Sequence, residues 1–468
     1  MLQQNCKWRA QIACLPPGQG FYGSMLSSSN TPLTGPNDRQ TSIAFFERAS
    51  TVFPGGVTRA TIELDPHPIF VAYGEGAFVT DVDGHRMLDL NNNFTTLIHG
   101  HAYPPITEAI AGLLRTGSCF ANPMNHEIDL AELLVGRIPA VEQVRFVASG
   151  TEAVMFAIKA ARATTGRVAI ARVEGAYHGA YDWAEAGQHA SSNTPCAAYP
   201  GMPASVIDDV VLLQFNCPAE LEQQIAMNAG RLAAILIDPM PSRAGLIEPT
   251  EEFIATINKV AKQHGIVIIA DEVLNLRQGF AGASARYGLK PDLVTMGKII
   301  GGGFPIGAVG GRREIMSAFG KQGSKAPLTQ GGTFAANPVS MVAGRLAMEA
   351  LTQDAFQRLE HMGNLVREGL RSRIERHGAN LSVTGAASLF RIHAKKVAPV
   401  SYQDSIPTAS EDVVLKLLRR HFANNGILMP YGAAASLSTP MTDNDMGDIV
   451  SVFDDFLVNL DRHAWEAA

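Results

Sequence analysis

The chain carries little charge and no marked excess of either sign. Asp, Glu, Lys and Arg make up 18% of its 468 residues, and the formal net charge is −6. A surface of that kind gives no support for nucleic acid or an anionic membrane as a partner. The sequence also lacks the uncharged apolar run of roughly 18 residues that spans a bilayer. With 46% hydrophobic residues, the composition is that of an ordinary globular protein.

Cysteine is scarce as well, and it follows no pairing pattern. The five cysteines are scattered and form no Cys-x-x-Cys motif. This usage is typical of a reducing compartment and predicts a cytoplasmic protein without a metal site.

Acidic residues are absent from the first 37 positions, where Ser, Gly and Pro are frequent. Such leaders can direct proteins to organelles, but Lys7 and Arg9 are few basic residues for that role. A disordered tail, or an extension upstream of a true start at Met25, explains the segment at least as well. We therefore leave residues 1–37 out of the predicted fold.

The most informative stretch runs from Asp271 to Gly303. The apolar run before it, residues 265–270, predicts a strand buried on both faces, as in a parallel sheet. Asp271 follows this strand, and Lys298 follows a second short strand at 292–296, where open α/β sheets bind ligands. A lone Asp is usually a helix cap, and a lone Lys is usually solvated. The pair, with glycines after the lysine, instead favours an aldehyde cofactor that has a basic ring nitrogen.

The same stretch resembles the core motif of the class III aminotransferases, which are pyridoxal 5′-phosphate enzymes of fold type I. It matches D-E-V and then P-D-L-x-x-x-G-K-x-I-G-G-G-x-P-x-G-A at nearly every fixed position. The resemblance implies that Lys298 holds the cofactor aldehyde as a Schiff base, the internal aldimine. It also implies that Asp271 keeps the pyridine nitrogen protonated.

The resemblance further implies an α/β fold with two unequal parts. A large domain would hold a seven-stranded, mostly parallel sheet, and a small α+β domain would be built from both ends of the chain. Several domains are also expected because 468 residues exceed one typical core. We place the N-terminal segment of the small domain at 38–98, the large cofactor-binding domain at 99–345 and the C-terminal small domain at 346–468.

Ser149, Gly150 and Thr151 open a predicted helix after a short strand. A helix start offers free N–H groups and the positive end of the dipole to a phosphate. On spacing alone, Ser149 and Glu152 indicate an ordinary capping box. The family's S-G-T-E-A motif occupies this point, so the resemblance implies that the three residues bind the cofactor phosphate.

Further cofactor contacts rest on the resemblance alone. Tyr177, in a Tyr-His-Gly motif, is implied to stack on the pyridine ring, with His178 beside it and Val273 on the opposite face. Thr333, in a Gly-Thr-Phe motif, is implied to reach the cofactor phosphate of the neighbouring subunit. The active sites would then be shared within a homodimer.

Two arginines are candidates for binding a substrate carboxylate, which a guanidinium can hold with two parallel hydrogen bonds. Arg59 follows a Pro-Gly-Gly turn that resembles the entrance loop of the family. Arg277 follows the core aspartate by six residues, as in the family's transaminases of β-amino acids and amines. Asp238 stands where the family usually has Glu, and the role of the Pro241–Arg243 loop after it stays open.

These features favour an aminotransferase that moves an amino group between an amine or β-amino acid and a keto acid. The alternative within the family is glutamate-1-semialdehyde 2,1-aminomutase, which the P-G-G-V and G-K-I-I-G-G-G stretches resemble. The position of Arg277, the segment at 333–337 and Ala180, where the aminomutases have His, argue for the transaminase. A decarboxylase or aldolase stays open. A catalytically dead, cofactor-binding regulatory protein is a remote alternative, because Lys298 is present.

Overall fold

A computed structural model describes residues 39–64, 66–190, 194–320, 326–432 and 434–460. The predicted N-terminal extension, residues 1–37, lies outside these ranges. Among the helices of the described ranges, none combines the length and the apolar character needed to cross a bilayer.

The strands fall into three sheets of different size. In chain order they are β1 (Val71–Glu75), β2 (Phe78–Asp81), β3 (Arg86–Asp89), β4 (Gln143–Val147), β5 (Ala169–Val173), β6 (Val210–Leu213), β7 (Leu232–Ile237), β8 (Val267–Asp271), β9 (Leu293–Gly297), β10 (Gly307–Gly311), β11 (Ser382–Thr384), β12 (Leu389–His393), β13 (Ile427–Leu428) and β14 (Ala435–Ser436). β4 to β10 form a seven-stranded sheet, while β1, β2, β3 and β13 form a four-stranded one. β11, β12 and β14 form a three-stranded sheet.

The seven-stranded sheet has the order β4-β10-β9-β8-β7-β5-β6. β10 runs antiparallel to both of its neighbours, and the other neighbouring pairs are parallel. The predicted seven-stranded, mostly parallel sheet is therefore confirmed. Its inner strands β7, β8 and β9 are buried along their whole length, as their mostly apolar sequences predict.

Helices cover both faces of this sheet. The longer ones are α1 (Gln40–Ser50), α2 (Pro104–Leu113), α3 (Asn125–Arg137), α4 (Gly150–Thr165), α5 (Pro218–Asn228), α6 (Glu251–His264), α7 (Gly282–Tyr287), α8 (Pro338–Ala350), α9 (Gln353–His377), α10 (Ala409–Asn424) and α11 (Asp443–Asn459). Single helical turns lie at Asn92–Thr95, Asp182–Glu185, Ala204–Asp208, Arg313–Met316 and Tyr402–Ser405.

Successive residues of β8 pack on opposite faces of the sheet. Ile269 belongs to the apolar cluster of α4, and Ile268 belongs to the cluster that contains Ile257 of α6. β8 begins two residues later than the apolar run predicts. The reason is that Gly265, with a φ of +59°, ends α6 in the left-handed conformation.

The four-stranded sheet joins the two ends of the chain. β13 pairs in parallel with β3, with Ile427 opposite Leu88. This pairing agrees with the predicted small α+β domain drawn from both terminal segments. The boundaries at 38–98, 99–345 and 346–468 stay a proposal.

Candidate active site

The ends of β8 and β9 bring the predicted carboxylate and lysine to one cavity of about 570 Å³. Asp271 is the last residue of β8, and Lys298 directly follows β9 at the start of a 3₁₀ turn. The two strands are parallel neighbours, so their carboxyl ends share one edge of the sheet. Lys298 has a φ of +49°, a strained conformation for a residue other than glycine.

Most of the other predicted site residues line the same cavity. They are Arg59, Ser149, Gly150, Thr151, Tyr177, His178 and Val273. Arg277 and Thr333 are not among the residues that line it.

The Asp271 carboxylate is buried and held by neutral donors. Oδ2 accepts a hydrogen bond from His178 Nδ1 at 2.7 Å. Oδ1 accepts from Thr295 Oγ1 at 3.0 Å and from the backbone N–H of Val273 at 3.1 Å. Thr295 is the residue opposite Asp271 in the β8–β9 ladder, so the sheet itself fixes the orientation of the carboxylate.

His178 is fully enclosed beside Asp271. Burial lowers the pKa of His178, although the hydrogen bond to Asp271 acts in the opposite direction. The ring is therefore neutral and carries its proton on Nδ1, which donates to Asp271. Its other nitrogen, Nε2, is buried and has no hydrogen-bond partner among the described residues. An acceptor of this kind beside the cavity fits a polar ligand group.

Burial also changes the state of the lysine. It lowers the pKa of Lys298 from 10.5 to about 8, although the carboxylates of Asp271 and Asp238 raise it. The positive charges of Arg277 and Arg243 lower it further. The lowered pKa therefore increases the fraction of Lys298 that is a neutral, nucleophilic amine near neutral pH.

Asp238 is a second buried acid in the cavity, which the sequence analysis noted only as a departure from the family. Its pKa is raised well above 3.8, first by burial and then by the charge of Asp271. Its Oδ1 accepts hydrogen bonds from the Asn275 side chain and from the backbone N–H of Met240. The signal that could have identified it is its place directly after β7, on the same strand edge as Asp271.

The start of α4 faces the cavity, but its cap differs from the expected capping box. Ser149 Oγ accepts from the backbone N–H of Glu152 at 3.2 Å, whereas the Glu152 carboxylate accepts from Ala148 and not from Ser149. Thr151 Oγ1 accepts from the backbone N–H of Ala180 at 3.3 Å. The first N–H groups of a helix have no intrahelical partners, so this turn can bind an anion.

Glycine is required where the Tyr177–His178 segment passes this turn. Gly179 has a φ of +88°, and a Cβ atom there would lie 2.4 Å from Thr151 Oγ1. Val273 fills the other side, where a Cβ on Gly150 would lie 3.0 Å from Val273 Cγ1. The close packing brings Tyr177 and Val273 to one cavity, as the implied ring contacts require.

The two predicted carboxylate-binding arginines have different positions. Arg59 lines the cavity, donates to Asn93 Oδ1 at 3.1 Å and lies 5.6 Å from the centre of the Phe94 ring. Arg277 is completely buried outside the lining.

The surroundings of Arg277 do not support the predicted substrate contact. Its Nε donates to Ser388 Oγ at 3.1 Å, its Nη1 to the carbonyl of Thr95 at 3.0 Å and its Nη2 to the carbonyl of Leu437. Because the guanidinium bonds to three separate segments, these contacts support a structural role, and the predicted substrate contact stays a prediction.

Thr333 lies in an exposed loop away from the cavity. Its carbonyl lies 4.0 Å from Cys119 Sγ, and Asn337 of the same loop donates to the carbonyl of Ser118 at 3.2 Å. Phe334 next to it is 63% exposed. A contact between Thr333 and a cofactor therefore requires a second copy of the chain, which stays a prediction.

One further cavity group follows from the Pro241–Arg243 loop. Ser242 lines the cavity, and the Arg243 guanidinium carbon lies 4.1 Å from the centre of the Tyr177 ring. No pattern in the sequence identifies this contact, because the two segments meet only through the fold.

The donor set fits pyridoxal phosphate. The α4 N-terminus suits a phosphate, the carboxylate of Asp271 suits a protonated ring nitrogen, and the amine of Lys298 suits an aldehyde. The unpartnered Nε2 of His178 adds an acceptor beside the same space.

Comparisons with known proteins agree with this donor set. The family model "Aminotransferase class-III" matches residues 61–432. The glutamate-1-semialdehyde 2,1-aminomutase of Methanothermobacter thermautotrophicus is 37% identical over 82% of this chain and 90% of that protein. An omega-transaminase from Sphaerobacter thermophilus is 43% identical, with a TM-score of 0.88 over 91% of this chain and 99% of that one. A beta-phenylalanine aminotransferase from Variovorax paradoxus is 30% identical, with a TM-score of 0.83 over 90% and 94%.

Proposed function

This chain belongs to the class III aminotransferase family, whose enzymes use pyridoxal phosphate, and we propose that it transfers an amino group between an amine or β-amino acid and a keto acid. The main support is the buried amine of Lys298, whose pKa of about 8 suits both nucleophilic attack and proton transfer. Arg59 in the same cavity supplies a cation for a substrate carboxylate.

The shared cavity supports an assignment of the residues that would hold the cofactor. Ser149, Gly150 and Thr151 would bind its phosphate, and Asp271 would bind its ring nitrogen. Tyr177 and Val273 would enclose its ring. When bound, pyridoxal phosphate supplies an aldehyde that reacts with amines and a ring that withdraws electrons from the substrate carbon.

Lys298 would carry out the proton transfer. Its Nζ can take the proton from the substrate carbon as a neutral amine and return it as an ammonium group. Both forms are populated near a pKa of about 8. His178, Thr295 and the backbone N–H of Val273 keep Asp271 oriented during this exchange.

The aminomutase is the second candidate, because the relative from Methanothermobacter thermautotrophicus carries that name at 37% identity. An aminomutase moves the amino group within one substrate, so it needs no acceptor. A transaminase stops after one equivalent of cofactor until an acceptor arrives. Arg59 suits either substrate class. Ala180, the segment at 333–337 and the spacing of Arg277 from Asp271 still argue for the transaminase.

To test this proposal, the enzyme is incubated with glutamate-1-semialdehyde alone. In parallel, it is incubated with a β-amino acid in the presence and in the absence of a keto acid. We expect sustained transfer, beyond one equivalent of cofactor, only when donor and acceptor are both present. Sustained conversion of the semialdehyde to 5-aminolevulinate without an acceptor would replace the transaminase with the aminomutase. The Lys298→Ala variant should lose both reactions and the absorbance band of the lysine-bound cofactor. If this variant kept the activity and the absorbance band, Lys298 would not be the residue that binds the cofactor.

We also propose that the working unit is a homodimer. The exposure of Thr333 and its position outside the lining of the cavity support a role in the site of a second copy. The expected location is the cytoplasm.

A further inference from the structure

The loop Pro241–Arg243 brings a second arginine to the edge of the cavity. Ser242 lines the cavity, and Tyr177, which carries the Arg243 guanidinium over its ring at 4.1 Å, lines it too. A guanidinium over an aromatic face is attracted by the ring quadrupole. This contact orients Arg243 without using its hydrogen-bond donors.

The Arg243 guanidinium lacks an anion of its own. Among the described residues it forms no hydrogen bond and no salt bridge, although the side chain is partly buried. Arg286, by contrast, is paired with the carboxylate of Glu360 at 2.8 Å. A partly buried guanidinium whose donors lack partners favours an incoming anion. Its charge reaches the reacting group, because it contributes to the lowered pKa of Lys298.

Side chains of the three-stranded sheet (β11, β12 and β14) bind the backbone of this loop. Arg391 of β12 is partly buried and donates to the carbonyl of Ser242 at 2.7 Å. The carbonyl of Gly245 accepts from Thr384 Oγ1 at 2.7 Å and lies 3.2 Å from His393 Nε2. The backbone on both sides of Arg243 is thus fixed by the fold, and the Tyr177 ring is the contact that orients its side chain.

We propose that Arg243 binds a carboxylate of the amino acid or keto acid substrate, as a second carboxylate site beside that of Arg59. The inference rests on the proposed transaminase function and specifies its substrates. A β-amino acid and a 2-keto acid carry their carboxylates at different distances from the reacting carbon. One guanidinium that lines the cavity and a second one over Tyr177 at its edge give each position a partner.

The test measures binding to the holoenzyme by calorimetry, with butanoate as the charged probe and butan-1-ol as its neutral counterpart. Arg243→Met keeps an unbranched stem against Tyr177 and removes the charge, while Arg243→Lys keeps the charge. Arg312→Met is the matched control, because Arg312 is an exposed arginine paired with Asp292 outside the cavity lining.

We expect Arg243→Met to weaken butanoate by about tenfold or more, with partial recovery in Arg243→Lys and no change for butan-1-ol. Unchanged butanoate binding in Arg243→Met, equal losses for both probes, or no butanoate binding by the wild type would each overturn the proposal. The probes need no turnover. A protein that binds butanoate through Arg243 but transfers no amino group would therefore contradict only the proposed function.

Discussion

His178 Nδ1 lies 2.7 Å from Asp271 Oδ2, and both side chains are buried. Because burial lowers the pKa of His178, the pair is a hydrogen bond from a neutral ring and not an ion pair. Every donor that the described residues offer to Asp271 is likewise neutral. No cation bound to the carboxylate therefore competes with a protonated ring nitrogen.

We predict that His178→Phe lowers kcat/KM roughly 30-fold, because Asp271 loses a buried donor. This factor corresponds to a loss of about 2 kcal/mol of transition-state stabilisation. The measurement is steady-state kinetics with saturating cofactor. His189→Phe is the control, since His189 is the exposed histidine of the same region. Equal rates for the His178 variant and the wild type would show that the hydrogen bond is dispensable.

Asp271→Asn should fold and bind cofactor but lose about 3 kcal/mol of transition-state stabilisation, because the anion opposite the ring nitrogen is gone. The amide oxygen can still accept hydrogen bonds from Thr295 and from the backbone N–H of Val273. The amide nitrogen can donate to His178 Nδ1 once the neutral ring carries its proton on Nε2 instead, so stability should change little. Kinetics at neutral pH and thermal melting separate the two effects. Near-normal turnover would count against the assigned role.

The lowered pKa of Lys298 predicts a pH-dependent stability of the cofactor-free protein. The folded state releases the Lys298 proton near pH 8, whereas the unfolded chain keeps it to about 10.5. Between these values the unfolded state binds more protons, so this group makes the free energy of unfolding rise with pH. Urea denaturation should show that Lys298→Met loses this rise. Parallel pH profiles of variant and wild type would contradict the shift.

The position of the site at the carboxyl edge of the large sheet was predictable, because parallel strands all end at the same edge. The apolar runs before Asp271 and before Lys298 therefore sufficed to bring the two side chains together. The same rule, applied to β7, would have added Asp238. Local sequence patterns were therefore sufficient to predict the position of a site residue wherever that residue directly follows a buried strand.

The two arginines whose positions were unexpected depend on contacts between distant segments. Arg277 has the spacing of a substrate-binding residue, but its direction is set by Ser388 and Leu437. Arg243 contacts Tyr177 in a loop whose backbone is bound by Arg391 of another sheet. Neither contact leaves a periodic or spacing signal in the sequence.

Thr333 yields a prediction on subunit exchange. If it serves the neighbouring site, mixing inactive Lys298→Ala protein with inactive Thr333→Val protein should restore part of the activity. The mixed dimer would then have one site with an intact lysine and an intact threonine. A mixture of Lys298→Ala with Asp271→Asn is the control, because both residues line the cavity of the same chain and restore no complete site. An active strict monomer would eliminate the shared site.

The final prediction separates the roles of Arg59 and Arg277. Arg277→Met leaves the buried carbonyls of Thr95 and Leu437 without a donor, at about 1–3 kcal/mol each, so it should chiefly lower the melting temperature. Arg59→Met should leave stability nearly unchanged, because Arg59 is exposed, and should raise KM for carboxylate substrates. Thermal melting and KM values for a β-amino acid and for a simple amine measure both effects. If Arg277→Met instead kept its stability and lost only the carboxylate substrate, then Arg277 would move into the cavity during binding, and its buried contacts would describe a resting state.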